Sequence, residues 1–132
     1  MADNPLARKL LIKPGTRLLV LNGQPDWLER LGPLPEGVEV AEGPGGPADV
    51  VHLFVSHRAE VDRHAGAAMA ATRPGGVLWV SYPKRSAKVA TDLTRDVGWE
   101  TFSGAGWRPV TQVAVDEVWS ALRFRPVAEV GR

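Results

Sequence analysis

Four consecutive apolar residues, Val77-Leu78-Trp79-Val80, sit between Arg73-Pro74-Gly75-Gly76 and Ser81-Tyr82-Pro83-Lys84. The proline ring clashes with helical backbone in the residue before it, so Arg73 should end the preceding helix. Gly75 and Gly76 permit the positive φ angles of a tight turn. A strand that is apolar at every position must be covered on both faces. The chain therefore needs layers on either side of a central sheet. Its 132 residues are enough for one domain, with a core over about 13–125 and a frayed tail after Pro126.

The remaining segments fit that plan. Leu6 to Lys13 reads as a lead-in turn of helix. Lys13-Pro14-Gly15-Thr16 launches a first strand, Arg17 to Leu21. Pro25 suits the first turn of a helix, and Asp26 to Leu31 places Trp27, Leu28 and Leu31 on one face. Val38 to Ala41 is a short second strand, and Ala48 to Val55 a third. Ser56 is placed to cap a helix whose buried face is Val61, Ala65, Ala68, Met69 and Thr72. Val77 to Tyr82 is the fourth strand. Thr91 or Asp92 should cap a helix running to about Gly104, with Leu93, Val97 and Phe102 inward. Thr111 to Val115 and Val118 to Arg125 form a hairpin about Asp116-Glu117. Alternation of strands and helices implies parallel pairing. The expected order is strand 2, 1, 3, 4, 6, 5, mostly parallel, with strand 6 antiparallel.

Composition narrows the function classes. Sixteen basic and fifteen acidic residues leave a net charge of +1, so no nucleic-acid signature or membrane-binding surface is expected. There is no cysteine, which removes disulfides, thiolate metal sites and a cysteine nucleophile. No signal-peptide pattern and no membrane-length apolar run is present, which predicts a soluble, cytoplasmic protein.

Lys13-Pro14-Gly15-Thr16-Arg17-Leu18-Leu19-Val20, Ala48-Asp49-Val50-Val51 and Arg73-Pro74-Gly75-Gly76-Val77-Leu78-Trp79-Val80, in that order, resemble class I S-adenosylmethionine-dependent methyltransferases. The whole sequence also resembles a small bacterial family of unknown function, through Gly32-Pro33-Leu34-Pro35, Gly45-Gly46-Pro47-Ala48-Asp49-Val50-Val51, Thr91-Asp92-Leu93-Thr94 and Trp119-Ser120-Ala121-Leu122-Arg123-Phe124. The resemblance implies a three-layer, Rossmann-like α/β fold. It also implies that Glu42, after strand 2, matches by position the acidic residue that holds a cofactor ribose. The loop after strand 1 departs from the family pattern. It is Asn22-Gly23-Gln24-Pro25, with one glycine and a proline that lacks an N–H, where methyltransferases carry Gly-x-Gly. S-adenosylmethionine is accordingly disfavoured as the cofactor.

In open α/β sheets, ligands bind beyond the carboxyl ends of the strands, where strand order reverses. Here that edge gathers Asn22, Gly23, Glu42, Ser56, Tyr82 and Lys84. The basic loop Lys84 to Lys88 running into Thr91 and Arg95 adds Ser86, Thr91 and Arg95, a set suited to an anion at a helix N-terminus. The competing reading is a solvated basic loop and ordinary capping residues. His57, Glu60 and His64 share a helix face but have no third ligand in view, so a solvated face is expected rather than a metal. His52 reads as a satisfied core histidine. Trp107 and Trp119 either cover the sheet or serve a homodimer interface at the hairpin edge. No catalytic constellation is visible. The expected function is a non-catalytic, methyltransferase-like domain that binds a small anionic or nucleotide-like ligand or a protein partner. The alternatives are a methyltransferase or other small transferase, and a structural homodimer.

Overall fold

The computed structural model describes residues 4–43, 45–84, 87 and 89–129. Strands β1 (Arg17–Leu21), β2 (Glu39–Glu42), β3 (Ala48–Phe54), β4 (Thr72–Pro83), β5 (Trp107–Ala114) and β6 (Trp119–Pro126) form one sheet, ordered β2-β1-β3-β4-β6-β5. This is the expected order. The sheet is mixed, however, and not mostly parallel. The β1–β2, β1–β3 and β3–β4 ladders are parallel, and β4–β6 and β5–β6 are antiparallel. The C-terminal hairpin pairs along nearly its full length, which gives the antiparallel part its weight.

Alternation along each strand feeds two cores. Leu18 and Val20 of β1 enter one, with helices α1 (Pro5–Lys9) and α2 (Trp27–Leu31). Leu19 and Leu21 enter the other, with α3 (Arg58–Ala71) and α4 (Glu100–Gly104). Asn4 caps α1 by accepting from the Ala7 N–H at 3.1 Å, with Pro5 at the first helical position. The Trp79 indole N–H donates to the Leu10 carbonyl at 2.8 Å and fastens the end of this segment to the central strand. On the other face, Ala65, Ala68 and Ala71 of α3 are buried, and their small size lets the helix backbone approach the sheet.

The Pro-Gly-Gly turn lies within β4. Ala48 pairs with Thr72 and Val50 with Val77, so Asp49 alone faces the four residues Arg73 to Gly76. This is a bulge. Gly75 has φ +77°, and a Cβ on Gly76 would lie 2.9 Å from the Arg73 carbonyl oxygen. Both glycines are needed there.

Two expected helix starts are corrected. The first residue outside α3 is His57, not Ser56. The helix expected from Thr91 or Asp92 is confined to Glu100–Gly104, and residues 89–99 are irregular. Hydroxyls explain this: Thr91 Oγ1 accepts from the Leu93 N–H and Thr94 Oγ1 from the Asp96 N–H, an alternative to helical bonding. Gly98, at φ +107°, turns the chain back. Leu93 and Phe102 are buried as expected, whereas Val97 is exposed. After Pro126, Val127–Glu129 forms a 3₁₀ turn tied by the Val127 N–H to the Gly106 carbonyl at 2.7 Å, and the last three residues of the tail expected to fray lie outside the described residues. Trp119 is buried in the α1–α2 face and Trp107 packs on the other, so both cover the sheet. Among the described residues no helix is long and apolar enough to cross a membrane.

His52 is buried in β3 and its Nε2 lies 2.6 Å from the Ser81 hydroxyl on β4. Its ring stacks on Phe54 at 4.3 Å and meets the edge of Trp27. Burial pushes its pKa down to about 3, so the folded ring is neutral. The unfolded chain binds the extra proton as pH falls below 6.5, and stability drops across that window until the folded pKa is reached. Chemical denaturation should show a loss on the order of 1 kcal/mol per pH unit below that value. His52→Gln should flatten this slope. Gly98→Ala should cost about 1–3 kcal/mol in the same assay, because a side chain there combines positive φ with a clash against Leu93.

Candidate functional site

The strand order reverses between β1 and β3, whose following helices α2 and α3 lie on opposite faces. Asn22 ends β1 in the left-handed region, at φ 53°, a conformation that asparagine tolerates better than most residues. Its amide donates 2.8 Å bonds to the Phe54 carbonyl, at the end of β3, and to Glu60 Oε2 on α3. The other Glu60 oxygen accepts from the Ser56 N–H at 2.6 Å. Thus Asn22, Ser56 and Glu60 bridge the crevice between β1 and β3 with their own hydrogen bonds. Partial burial pushes the Glu60 carboxyl up. The Ser56 N–H, the Asn22 amide and the His57 N–H outweigh it, and the net shift is downward.

The start of α3 is also occupied. The His57 side chain makes no cap bond. Asp92 supplies one from a distant loop, accepting from the Arg58 N–H at 2.8 Å. With Glu60 three residues after His57, two carboxylates satisfy the helix N-terminus, where an anion would otherwise sit. Sequence reasoning assigned Glu60 to a solvated face and Asp92 to a helix of its own. The His57-x-x-Glu60 spacing of a capping box was the signal for the first; the second has no local signal.

Gly23 lies against β1, and a Cβ there would be 2.7 Å from Val20 Cγ1. Glu42 is exposed at the end of β2, in register with Val20. Tyr82 is buried, edge-on to Trp99, and its hydroxyl accepts from the Gln112 amide at 3.0 Å. Burial raises its pKa; the Gln112 bond and the charge of Arg95 oppose this, and Asp96 adds to it. Arg95 is exposed and lies in an irregular segment rather than one turn into a helix. Arg95, Asp96, Gln112 and Leu122 line a hollow of about 120 Å³. Lys84 is half-buried and anchored by its N–H to the Val118 carbonyl at 2.7 Å. Neither Lys84 nor Arg95 has a carboxylate partner within ion-pair distance among the described residues. Thr91 spends its hydroxyl on the Leu93 N–H. Ser86 lies outside the described residues. The carboxyl edge is thus self-satisfied at Asn22, Ser56 and Glu60, while Lys84 stands at the end of β4 and Arg95 at the hollow against β5.

No protein-family model matches the chain, and no curated protein matches it. Solved structures do. A complex of DhpI with SAM and HEP aligns with a TM-score of 0.60 at 16% identity, over 92% of this chain and 85% of that one. An O-methyltransferase family 2 protein from Planctomyces limnophilus, in complex with apigenin, aligns with a TM-score of 0.60 at 15% identity, over 86% of this chain and 50% of that one. A ribosomal protein L11 methylase from Lactobacillus delbrueckii subsp. bulgaricus gives 0.57 at 8% identity, over 92% and 74%. The chain has a class I methyltransferase-like Rossmann fold.

The closure at Asn22 is testable. Asn22→Asp sets a second carboxylate against Glu60 while keeping a residue that tolerates the backbone angle. Denaturant unfolding should show a loss of about 1–3 kcal/mol at neutral pH. Part of it should return on acidification, since repulsion between the two carboxylates raises the pKa of one and lets it take a proton early.

Proposed function

We propose that this chain is a non-catalytic, methyltransferase-like domain that binds a small anionic or nucleotide-like ligand at its carboxyl edge, through Lys84 and Arg95. The observation that carries this reading is the Asn22 bridge to the Phe54 carbonyl and the Glu60 carboxylate. It fills the crevice between β1 and β3 with the protein's own groups. Lys84 and Arg95, without a carboxylate partner among the described residues, are then the cations offered to a ligand at this edge, with Tyr82 as an aromatic wall. Loss of a charged hydrogen bond at such a site costs about 1.5–3 kcal/mol.

A second reading is methyl transfer from S-adenosylmethionine. It is favoured by Glu42, exposed beside the β1 loop at the position of a ribose-holding acid, and by the SAM and SAH complexes of DhpI among the similar structures.

Calorimetric titration separates the two. The first reading expects no micromolar affinity for S-adenosylmethionine or S-adenosylhomocysteine. It expects thermal protection by a phosphorylated metabolite that Lys84→Ala and Arg95→Ala abolish, with the unliganded Tm barely moved. Micromolar binding of S-adenosylmethionine would sink it and establish the second. Protection that survives both substitutions would remove the site.

A further inference from the structure

A cavity of about 300 Å³ opens at the opposite end of the sheet, beside the starts of β3 and β4, on the face that α1 covers. Its polar wall is Lys13, Thr16, Asp49, Arg73 and Arg123. Asp49 is fully engaged. One carboxylate oxygen accepts from the Arg17 N–H at 2.7 Å, and the other pairs with Arg73. The Thr16 hydroxyl donates to the Lys13 carbonyl at 2.6 Å, which holds that corner of the loop. Lys13 and Arg123 have no carboxylate within ion-pair distance among the described residues.

Arg123 is the unusual group. It sits on β6 opposite Trp79, and its Nε is buried with no hydrogen-bond acceptor. Arg125 follows on the same face of the strand, and its Nε is likewise buried and unpaired. Arg125 in turn lies directly across the ladder from Arg108. Like charges opposite one another weaken a sheet. Burial, and then the charge of Arg125, hold the Arg123 guanidinium below its usual pKa range, with Glu129 acting the other way. Arg125 does not line the cavity, and its Nη2 donates to the Glu129 carbonyl at 3.2 Å. At the cavity itself, Lys13 and the buried Arg123 Nε are the donors left for an anion to meet.

We propose that this cavity binds a phosphoryl group, held between the Arg123 guanidinium and the Lys13 ammonium with Arg73 at its rim. The site lies at the amino-terminal edge of the sheet, away from the carboxyl edge discussed above. A tetrahedral dianion meets two or three cations at once, and arginine binds phosphate through paired N–H donors. The volume suits one small group. A second hollow of about 190 Å³ shares Arg73 and Gly76 with it and is walled by Trp107 and Pro126. That hollow also carries Glu129 and, through Trp107, belongs to the opposite face, so the body of a monoester extends instead past the exposed Lys13. The phosphoryl group therefore comes either from inorganic phosphate or from a monoester such as a nucleoside monophosphate.

The test is titration of the intact chain with inorganic phosphate and with adenosine monophosphate, at low and high salt. The expected result is saturable, salt-sensitive binding that Arg123→Gln and Lys13→Ala each weaken about tenfold or more. In a Lys84→Ala/Arg95→Ala background, which removes the carboxyl-edge cations, the binding component that Arg123→Gln and Lys13→Ala weaken should remain, which keeps this site distinct from the carboxyl-edge reading. Tighter binding of the monophosphate than of phosphate assigns the site to monoesters; equal binding assigns it to the free ion. Should Arg123→Gln not fold, Lys13→Ala, at an exposed side chain, decides alone. No saturable binding of either probe at millimolar concentration, or unchanged affinity in the folded variants, overturns the proposal.

Discussion

Two faces of a six-stranded sheet have to be covered by a chain in which α3 alone among the α-helices exceeds five residues. Helices this short bury little on their own. Aromatic rings make up the difference. On one face Trp27, His52, Phe54 and Trp119 form an edge-and-stack cluster with centroids 4.3–5.3 Å apart. On the other, Trp99 lies against Tyr82 and Phe124, and Phe102 stacks on Phe124 at 4.4 Å. Each ring covers more sheet than an aliphatic residue and orders fewer torsions in doing so. Tryptophan, five residues in 132, is therefore the substitute for missing helix.

Much of this was legible because the signals are local. The runs at Leu18 to Leu21, Val50 to Phe54 and Val77 to Val80 are apolar at nearly every position, which only a doubly covered strand requires. The hairpin announced itself through its β-rich flanks. Ala65 and Ala68 lay on the expected helix face. The failures share a different cause. Thr91, Asp92 and Thr94 carry the side chains of a helix start, and they do make capping-type bonds, but within turns or to another helix. Whether a hydroxyl or carboxylate caps its own segment or a neighbour's depends on tertiary packing, which a local pattern does not encode. The Asn22–Glu60 bond spans 38 residues and was invisible for the same reason.

The two ends of the sheet solve their electrostatics in opposite ways. At the carboxyl end, Asp92 from the loop after β4 meets the first N–H of α3, and Glu60 meets the Ser56 N–H just before it. At the amino-terminal end, arginines and a lysine outnumber the acids, and two guanidinium nitrogens stay unmet. A methyltransferase-like frame usually concentrates its polar chemistry at the first end. In this chain the two unmet guanidinium nitrogens, those of Arg123 and Arg125, lie at the second, on β6 rather than on a loop.

Asp92 gives the molecule a mechanical property. Because its carboxylate holds the first N–H of α3, the irregular stretch 89–99 and the opening turn of that helix cannot loosen independently. The same turn carries Glu60, which holds Asn22 at the end of β1. Displacement of the 89–99 stretch therefore slackens, in sequence, the helix start and the β1–β3 seam. These three pieces constitute one cooperative opening unit. The Ser56 and Arg58 amide protons, each held by one of these carboxylates, are protected by that same unit.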